Sequence, residues 1–257
     1  MQWQTQGVRL EWFYDWFRQL DLVHGINLTI IYDAFDRGRM IDGFWMTIRL
    51  SLICLVLSIL IGLVGAWLQG ARSRLVRWVV QGYIQFFRNT PPLVQMYFFF
   101  FAVGSLMPTR VNEFGFAQPM LDNVTWAIIS LSFFAGAFNV EIFRSGVEAV
   151  PRSTVEAAES LGFSRWQIYV QVVLPLAIRV CLPALNNNLV NLVKTTTLAY
   201  AIAVPEMLYV SNQIWSDAVN VPEMMTFLLF AYVGLVGLLV WVMHRWERAM
   251  RLPGVGR

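Results

Sequence analysis

Hydrophobic runs alternate with short polar, arginine-bearing stretches along most of this chain. A helix needs about 20 mainly apolar residues to cross a bilayer. The first clear run, "FWMTIRLSLICLVLSILIGLVGAWL", covers 44–68. The second, "PPLVQMYFFFFAVGSLM", covers 91–107 and is short; "RWVVQGYIQFF" before it either extends it as a broken helix or lies near the interface. Further runs cover about 123–143, 166–193 and 224–243, and Pro175 and Pro183 are expected to bend the fourth. Residues 195–215 are apolar in part but interrupted by Pro205 and Glu206, and read as a short or re-entrant segment, with a sixth span as the rival. Five spans are expected.

Composition agrees with this pattern. Hydrophobic residues make up 57% of the 257 positions and charged residues only 14%, well under the roughly 25% of a soluble domain. The charges are segregated, as in a polytopic membrane protein. Cys54 and Cys181 fall in apolar runs, and His24 and His244 stand alone, so neither a disulfide framework nor a metal site is expected. The net charge of +3 is explained by loop arginines and calls for no nucleic-acid partner. Residues 1–20 carry Glu11, Asp15 and Arg18 and lack the continuous apolar core of a cleaved signal.

Arginines set the orientation. Arg72, Arg74, Arg77 and Arg88 follow the first span; Arg144, Arg152 and Arg165 follow the third; Arg245, Arg248 and Arg251 follow the last. Residues 108–122 hold only Arg110 against Glu113 and Asp122, and 205–223 hold no basic residue. The three clusters are therefore expected in the cytoplasm, with the tail 247–257. Residues 1–42 are expected outside as an extension whose "WFYDWF" suits a membrane interface, or which is only loosely ordered. The membrane domain is expected over 43–246.

One cytoplasmic loop, 151–165, is built differently. Its "VEAAESLGF" has the makings of a short helix. Pro151 suits its first turn, and Ser153 or Thr154 suits a cap. Glu156 would then lie in the first turn, sharing a face with Glu159. Ala157, Ala158 and Leu161 offer a close-packing surface, Gly162 can end the helix with a positive φ, and Ser164 can cap the next one. A docking element for another protein is favoured over a mere connector.

Polar residues inside spans are costly and therefore informative. Arg49 lies about a turn and a half into the first span and either snorkels outward or faces a pathway. Glu141 pairs with a neighbour such as Arg144 or with Arg179, or faces the pathway. Asn187, Asn191 and Lys194 share a helical face, with Asn186 and Asn188 nearby, and Thr195 and Thr197 add hydroxyls. They either line a solute pathway or hold a broken helix. Gln95 can add a donor and an acceptor. Cationic Lys194 and Arg49, with Glu141 the only deep acid, suit a solute carboxylate. The run 97–101 is too long to face one pathway, and Gly62, Gly65, Gly234 and Gly237 suit close helix packing.

The loop also resembles a known family. The permease subunits of bacterial ATP-binding-cassette importers carry Glu-Ala-Ala, three residues, Gly, nine residues, then Ile-x-Leu-Pro. This chain matches at Glu156, Ala157, Ala158, Gly162, Leu174 and Pro175, with Val172 for the Ile. It resembles the polar amino acid branch in "GFWMTIRLSL" and in Arg88, Thr90, Pro91, Val94 and Gln95, with Pro92 for a Leu. The likeness continues in Glu141, Arg144 and Gly146, where Phe138, Val140 and Ser145 depart, and in "NNLVNLVKTTTLAYAI", where Thr195 replaces an Asp. Ser153-Thr154 stands where Gly-Gln is usual. The likeness runs from about 42 to 246.

The resemblance implies an all-α, type I importer permease core of five transmembrane helices in the bacterial plasma (inner) membrane. Loop 151–165 is then the coupling helix that docks on an ATPase. A second permease chain, identical or similar, two ATPase subunits and an extracytoplasmic amino acid-binding protein would complete the assembly, which moves solute by alternating access. This chain has no phosphate loop, so ATP and Mg belong to the partner ATPase, and no catalytic residue or cofactor is expected here. The alternatives are an ion-gradient-driven transporter, for which no internal repeat or deep acid site is visible, and a scaffold that recruits a cytoplasmic protein through 144–165.

Overall fold

The computed structural model describes residues 2–111 and 113–250; of the expected tail, 247–250 are helical and 251–257, Arg251 included, lie outside the described residues. The chain is helical almost throughout. Helix α1 (Gln2–His24) and the single turn α2 (Thr29–Tyr32) lead into α3 (Ala34–Gln69). Then come α4 (Arg74–Asn89), α5 (Pro92–Val103) and a small exposed hairpin of β1 (Thr109–Val111) and β2 (Ala117–Pro119). They are followed by α6 (Asn123–Glu148), α7 (Arg152–Ser160), α8 (Arg165–Ile202), α9 (Met207–Ala218) and α10 (Val221–Met250).

Among the described residues four helices are long and apolar enough to cross a membrane: α3, α6, α8 and α10. The expected second span differs. Its apolar part, α5, has 12 residues, about 18 Å of helix against a hydrocarbon core of about 30 Å. Pro91 and Pro92 separate it from α4 because neither ring nitrogen can donate to the turn before. The helix is broken there, and α4 is amphipathic, with Val80, Ile84 and Phe87 buried and Arg74, Arg77, Gln81, Gln85 and Arg88 exposed along one face. Likewise α9 has only 12 residues, too few to cross a membrane by itself.

The first long helix starts earlier than its apolar run suggests. Asp33 caps α3 by accepting from the backbone N–H of Phe35 and Asp36, and the helix passes residue 42 without a break. The expected boundary between extension and membrane domain therefore falls inside a helix. The extension is tied down: Arg37 donates to the Tyr14 hydroxyl, and Arg18 lies over the Tyr32 ring. Asn27 donates through its backbone N–H to Glu223 and accepts at its carbonyl from Asn220, fixing the extension to the α9–α10 turn.

Helix α6 is the hub, packed against α3, α4, α5 and α8. Its crossing of α3 depends on glycine: a Cβ on Gly62 would collide with Asn139, and one on Gly65 with Val140. Gly146 similarly admits Cys181 and Ala177 of α8. Gly234 and Gly237 differ from expectation, since nothing lies within 4 Å of a Cβ on either and α10 leaves that face open in this chain. Leu50, Met96, Trp126, Leu131 and Leu192 form the largest buried cluster, joined by the Phe99 and Phe100 rings. Tyr97, Phe98 and Phe101 point outward, so the aromatic run divides between packing and surface.

Candidate functional site

The α7 corner is assembled by backbone chemistry. Pro151 is extended and precedes the first helical residue, Arg152. Ser153 and Thr154 lie inside the helix and do not cap it, and Glu156 falls beyond the first turn, both contrary to expectation. The C-terminal end forms as expected: Gly162 has φ +79°. Its N–H donates to the Glu159 carbonyl and the Phe163 N–H to the Ala158 carbonyl, a Schellman closure. Ser164 then caps α8 reciprocally with Gln167. Two helix ends meet within a few residues, so the angle between α7 and α8 is fixed by hydrogen bonds.

This geometry sorts the motif residues. Ala158 is buried with Val155, Phe163 and Ile168 against Val150, Val173 and Ala177. Glu156, Ala157, Glu159 and Leu161 face outward, with Leu161 77% exposed. A methyl group at 158 therefore seats α7 on its own chain, while 156, 157 and 161 remain available to another surface. Leu174 and Pro175 follow a widened, π-type turn at Tyr169–Val173 and are half-buried. Pro175 cannot donate to the preceding turn, and the wider turn absorbs that loss.

The intramembrane candidates divide. Asn187, Asn191 and Lys194 are exposed together on one face of α8, as their spacing predicts. Asn186 is buried instead. Asn188 donates to the Ala135 carbonyl (3.0 Å) and to Asn139 Oδ1 (2.7 Å), and Asn139 donates to Ser58 Oγ. This chain of amides links α8, α6 and α3. Thr195 and Thr197 donate to the carbonyls of Asn191 and Lys194, so both hydroxyl protons are taken by their own helix. Gln95 is buried and braces the helix break: its Nε2 donates to the carbonyls of Phe87 and Thr90 and to Thr90 Oγ1. The Phe87 carbonyl is the acceptor that Pro91 cannot serve. Arg49 is exposed, about four turns from the start of α3 and about a turn and a half into its apolar run.

Glu141 pairs with Arg88 of α4, neither with Arg144 nor with Arg179. Arg144 pairs with Glu148 (2.7 Å) and donates to Gln69. Arg88 also lies 5.4 Å from the Phe138 ring centroid, and the Arg88–Glu141 pair is about a third exposed. In sequence Arg88 stands as a loop charge and as part of the family resemblance; its pairing emerges from the crossing of α4 over α6. Glu206, which in sequence only interrupts an apolar run, is a second deep acid besides Glu141. It is fully buried, caps α9 by accepting from the N–H of Leu208 and Tyr209, and accepts from the Tyr232 hydroxyl. Beside it Thr47 Oγ1 accepts from the Met207 N–H. Its two oxygens are engaged by three donors, which is the environment of a structural cap. Among the described residues no group of three or more His, Cys, Asp or Glu is arranged to hold a metal ion.

A family model described as "Binding-protein-dependent transport system inner membrane component" matches residues 58–252. The histidine/lysine/arginine/ornithine transport system permease protein HisQ of Escherichia coli K12 is 31% identical over 66% of this chain and 75% of its own length. The glutamate/aspartate import permease protein GltJ of the same strain is 28% identical over 84% of this chain and 89% of its own length. The probable glutamine ABC transporter permease protein GlnM of Bacillus subtilis is 28% identical over 81% and 90%. A crystal structure of an amino acid ABC transporter with histidines superposes with a TM-score of 0.73 at 25% identity, covering 83% of this chain and 94% of that one. An inward-facing MetNI methionine ABC transporter chain gives 0.65 at 22% identity, over 84% and 97%, a likeness of fold.

Proposed function

The chain belongs to the family of binding-protein-dependent transport system inner membrane components, and on that premise we propose how it works as the permease of an ATP-driven amino acid importer. It is a multi-pass inner-membrane protein. The finer reading is that the broken α4–α5 element supplies the fifth crossing. The arginine-bearing ends of the helices then face the cytoplasm, with the extension and the α9–α10 turn outside. A second permease chain, two ATPase subunits and an extracytoplasmic binding protein complete the transporter. The solute is a polar amino acid, as the printed functions of the relatives suggest.

The observation that carries this reading is the hydrogen-bonded α7 corner. Ala158 and Phe163 anchor it inward, while Glu156, Ala157 and Leu161 point away from the chain's own core. A rigid corner of that kind transmits displacement from a docked ATPase to α8 and α6. The solute side is read from two features: the partly exposed Arg88–Glu141 pair, and the Asn187, Asn191 and Lys194 face. A facing cation and anion complement the carboxylate and ammonium that amino acids share, and Lys194 adds a second cation.

The test uses the whole transporter reconstituted in vesicles. Glu156→Lys and Gly162→Val are expected to lower ATP-driven uptake while ATP hydrolysis continues and the chain stays in the membrane. Unchanged uptake by both variants overturns the coupling assignment.

A further inference from the structure

A groove of about 820 Å³ opens at the arginine-bearing end, between the last turns of α3 and the first of α8, with α6 as its floor. Its walls are apolar, with Leu63, Trp67, Phe143 and Ile178 among them. Arg77 and Arg144 stand at its edge and also line an adjoining hollow of about 340 Å³, which adds Arg74 and Trp78. One depression thus has a greasy limb and a basic limb. Glu148 is the one carboxylate among the lining residues, and it is paired with Arg144. Arg77 spends one nitrogen on the carbonyls of Ala71 and Arg72. Arg74 pairs with no carboxylate among the described residues.

Three tryptophans mark the depth of this depression. Trp67, Trp78 and Trp166 line it and are 76%, 81% and 73% exposed. Exposed indoles on a membrane protein concentrate at the level of the lipid headgroups. An inorganic anion would leave the apolar limb empty, and a wholly apolar helix would bury the arginines without counter-charge. A phospholipid with a net negative headgroup satisfies both limbs.

We propose that this groove binds an anionic phospholipid of the leaflet that faces the ATPase. Its phosphodiester sits on Arg74, Arg77 and Arg144, and one acyl chain lies between α3 and α8 along Leu63 and Ile178. Basic pockets between membrane helices on the cytoplasmic side recognise such headgroups by charge. The choice of leaflet rests on the orientation proposed above; the chemistry of the groove does not. Leu174 of the coupling motif also lines the groove, so the lipid would touch the segment that carries motion from α7.

The test is intact-complex mass measurement on the assembled transporter in mild detergent. It is titrated with phosphatidylglycerol, phosphatidylcholine or inorganic phosphate. Wild type is expected to retain phosphatidylglycerol several-fold better than phosphatidylcholine, and phosphate is expected not to displace it. Arg74→Gln with Arg77→Gln should lose that preference. Leu63→Trp, which fills the apolar limb and leaves every charge in place, should lower retention by itself and serves if the arginine variant fails to assemble. Equal retention of the two lipids, displacement by phosphate, or a wild-type complex without lipid because a partner chain covers the groove would each overturn the proposal. Retention is read without transport, so failure of the coupling assignment leaves this result standing.

Discussion

The two ends of α8 use their polar residues in opposite ways. At the α7 end, the backbone satisfies itself through the Gly162 closure and the Ser164–Gln167 cap, and the acidic side chains of Glu156 and Glu159 are left facing outward. At the far end, the threonine hydroxyls and Glu206 are absorbed by structure, while Asn187, Asn191 and Lys194 stay exposed. Thr195 and Thr197 bond back to their own helix, and Glu206 caps the next one. Midway along α8, Asn188 is held by Asn139. Where water is at hand, side chains need not serve the backbone and are free for a partner. Where it is not, an unpaired polar group costs several kcal/mol, which favours commitments such as those of Thr195, Thr197, Asn188 and Glu206. A polar residue inside the membrane is thus weaker evidence of a pathway than one outside it is of docking.

The largest expected effect tests whether the interior is as tightly committed as this contrast requires. Gly62→Leu would drive a side chain into Asn139 at the α3–α6 crossing and disturb the Ser58–Asn139–Asn188 chain. Loss of the folded chain is expected, read as collapse of the monodisperse peak in detergent chromatography. Gly237→Leu, with open space around it, should leave that peak unchanged. Equal tolerance at both positions would mean that α6 is not the hub described here.

Glu206→Gln follows in size. The carboxylate accepts from two backbone N–H groups and the Tyr232 hydroxyl. An amide offers one acceptor oxygen and sets an NH₂ against a remaining donor, so the variant should lose about 1–3 kcal/mol. Tyr232→Phe removes one donor to a carboxylate that keeps two, so a smaller loss is expected. Thermal melting of the detergent-solubilised chain measures both. A Glu206→Gln variant with native melting but abolished uptake would move Glu206 from the structural group to the pathway.

How much of this was legible in sequence follows from the same contrast. The α7 corner is written in consecutive residues: Gly162 needs φ above zero, and Ser164 with Gln167 forms a local cap, so spacing alone located it. Even there, Pro151 displaced the helix start by enough to carry Ser153, Thr154 and Glu156 out of their expected positions. The four long helices were legible because length and hydrophobicity decide them. The Arg88–Glu141 pair, the Asn139 network and the role of Gln95 were not, because each depends on which helix crosses opposite. Glu206 was misread because its partner Tyr232 lies on α10, beyond an intervening helix.

At the α7 corner a moderate effect is expected from Gly162→Ala. A left-handed residue with a Cβ costs roughly 1–2 kcal/mol. Nothing lies within 4 Å of the added methyl, so the cost is conformational rather than steric. The chain should fold and assemble, with a lower ratio of uptake to ATP hydrolysis than wild type. An unchanged ratio would show that the corner tolerates a different exit angle and that rigidity is not what couples it.

The smallest effect on stability, and the sharpest separation of the two kinds of polar residue, belongs to the Lys194 face. Lys194 is exposed and in no ion pair among the described residues, whereas Thr197 a turn later is bonded to its carbonyl. Lys194→Ala removes a charge without orphaning a buried partner, so melting and assembly with the ATPase should stay at wild-type levels while uptake falls. Thr197→Val removes only a hydroxyl that was serving its own helix, so uptake should hardly change. Uptake assayed beside co-purification of the ATPase distinguishes the outcomes. If Lys194→Ala loses assembly together with uptake, the face it occupies packs against the second permease chain, and the solute path must be sought at Arg88 and Glu141 alone.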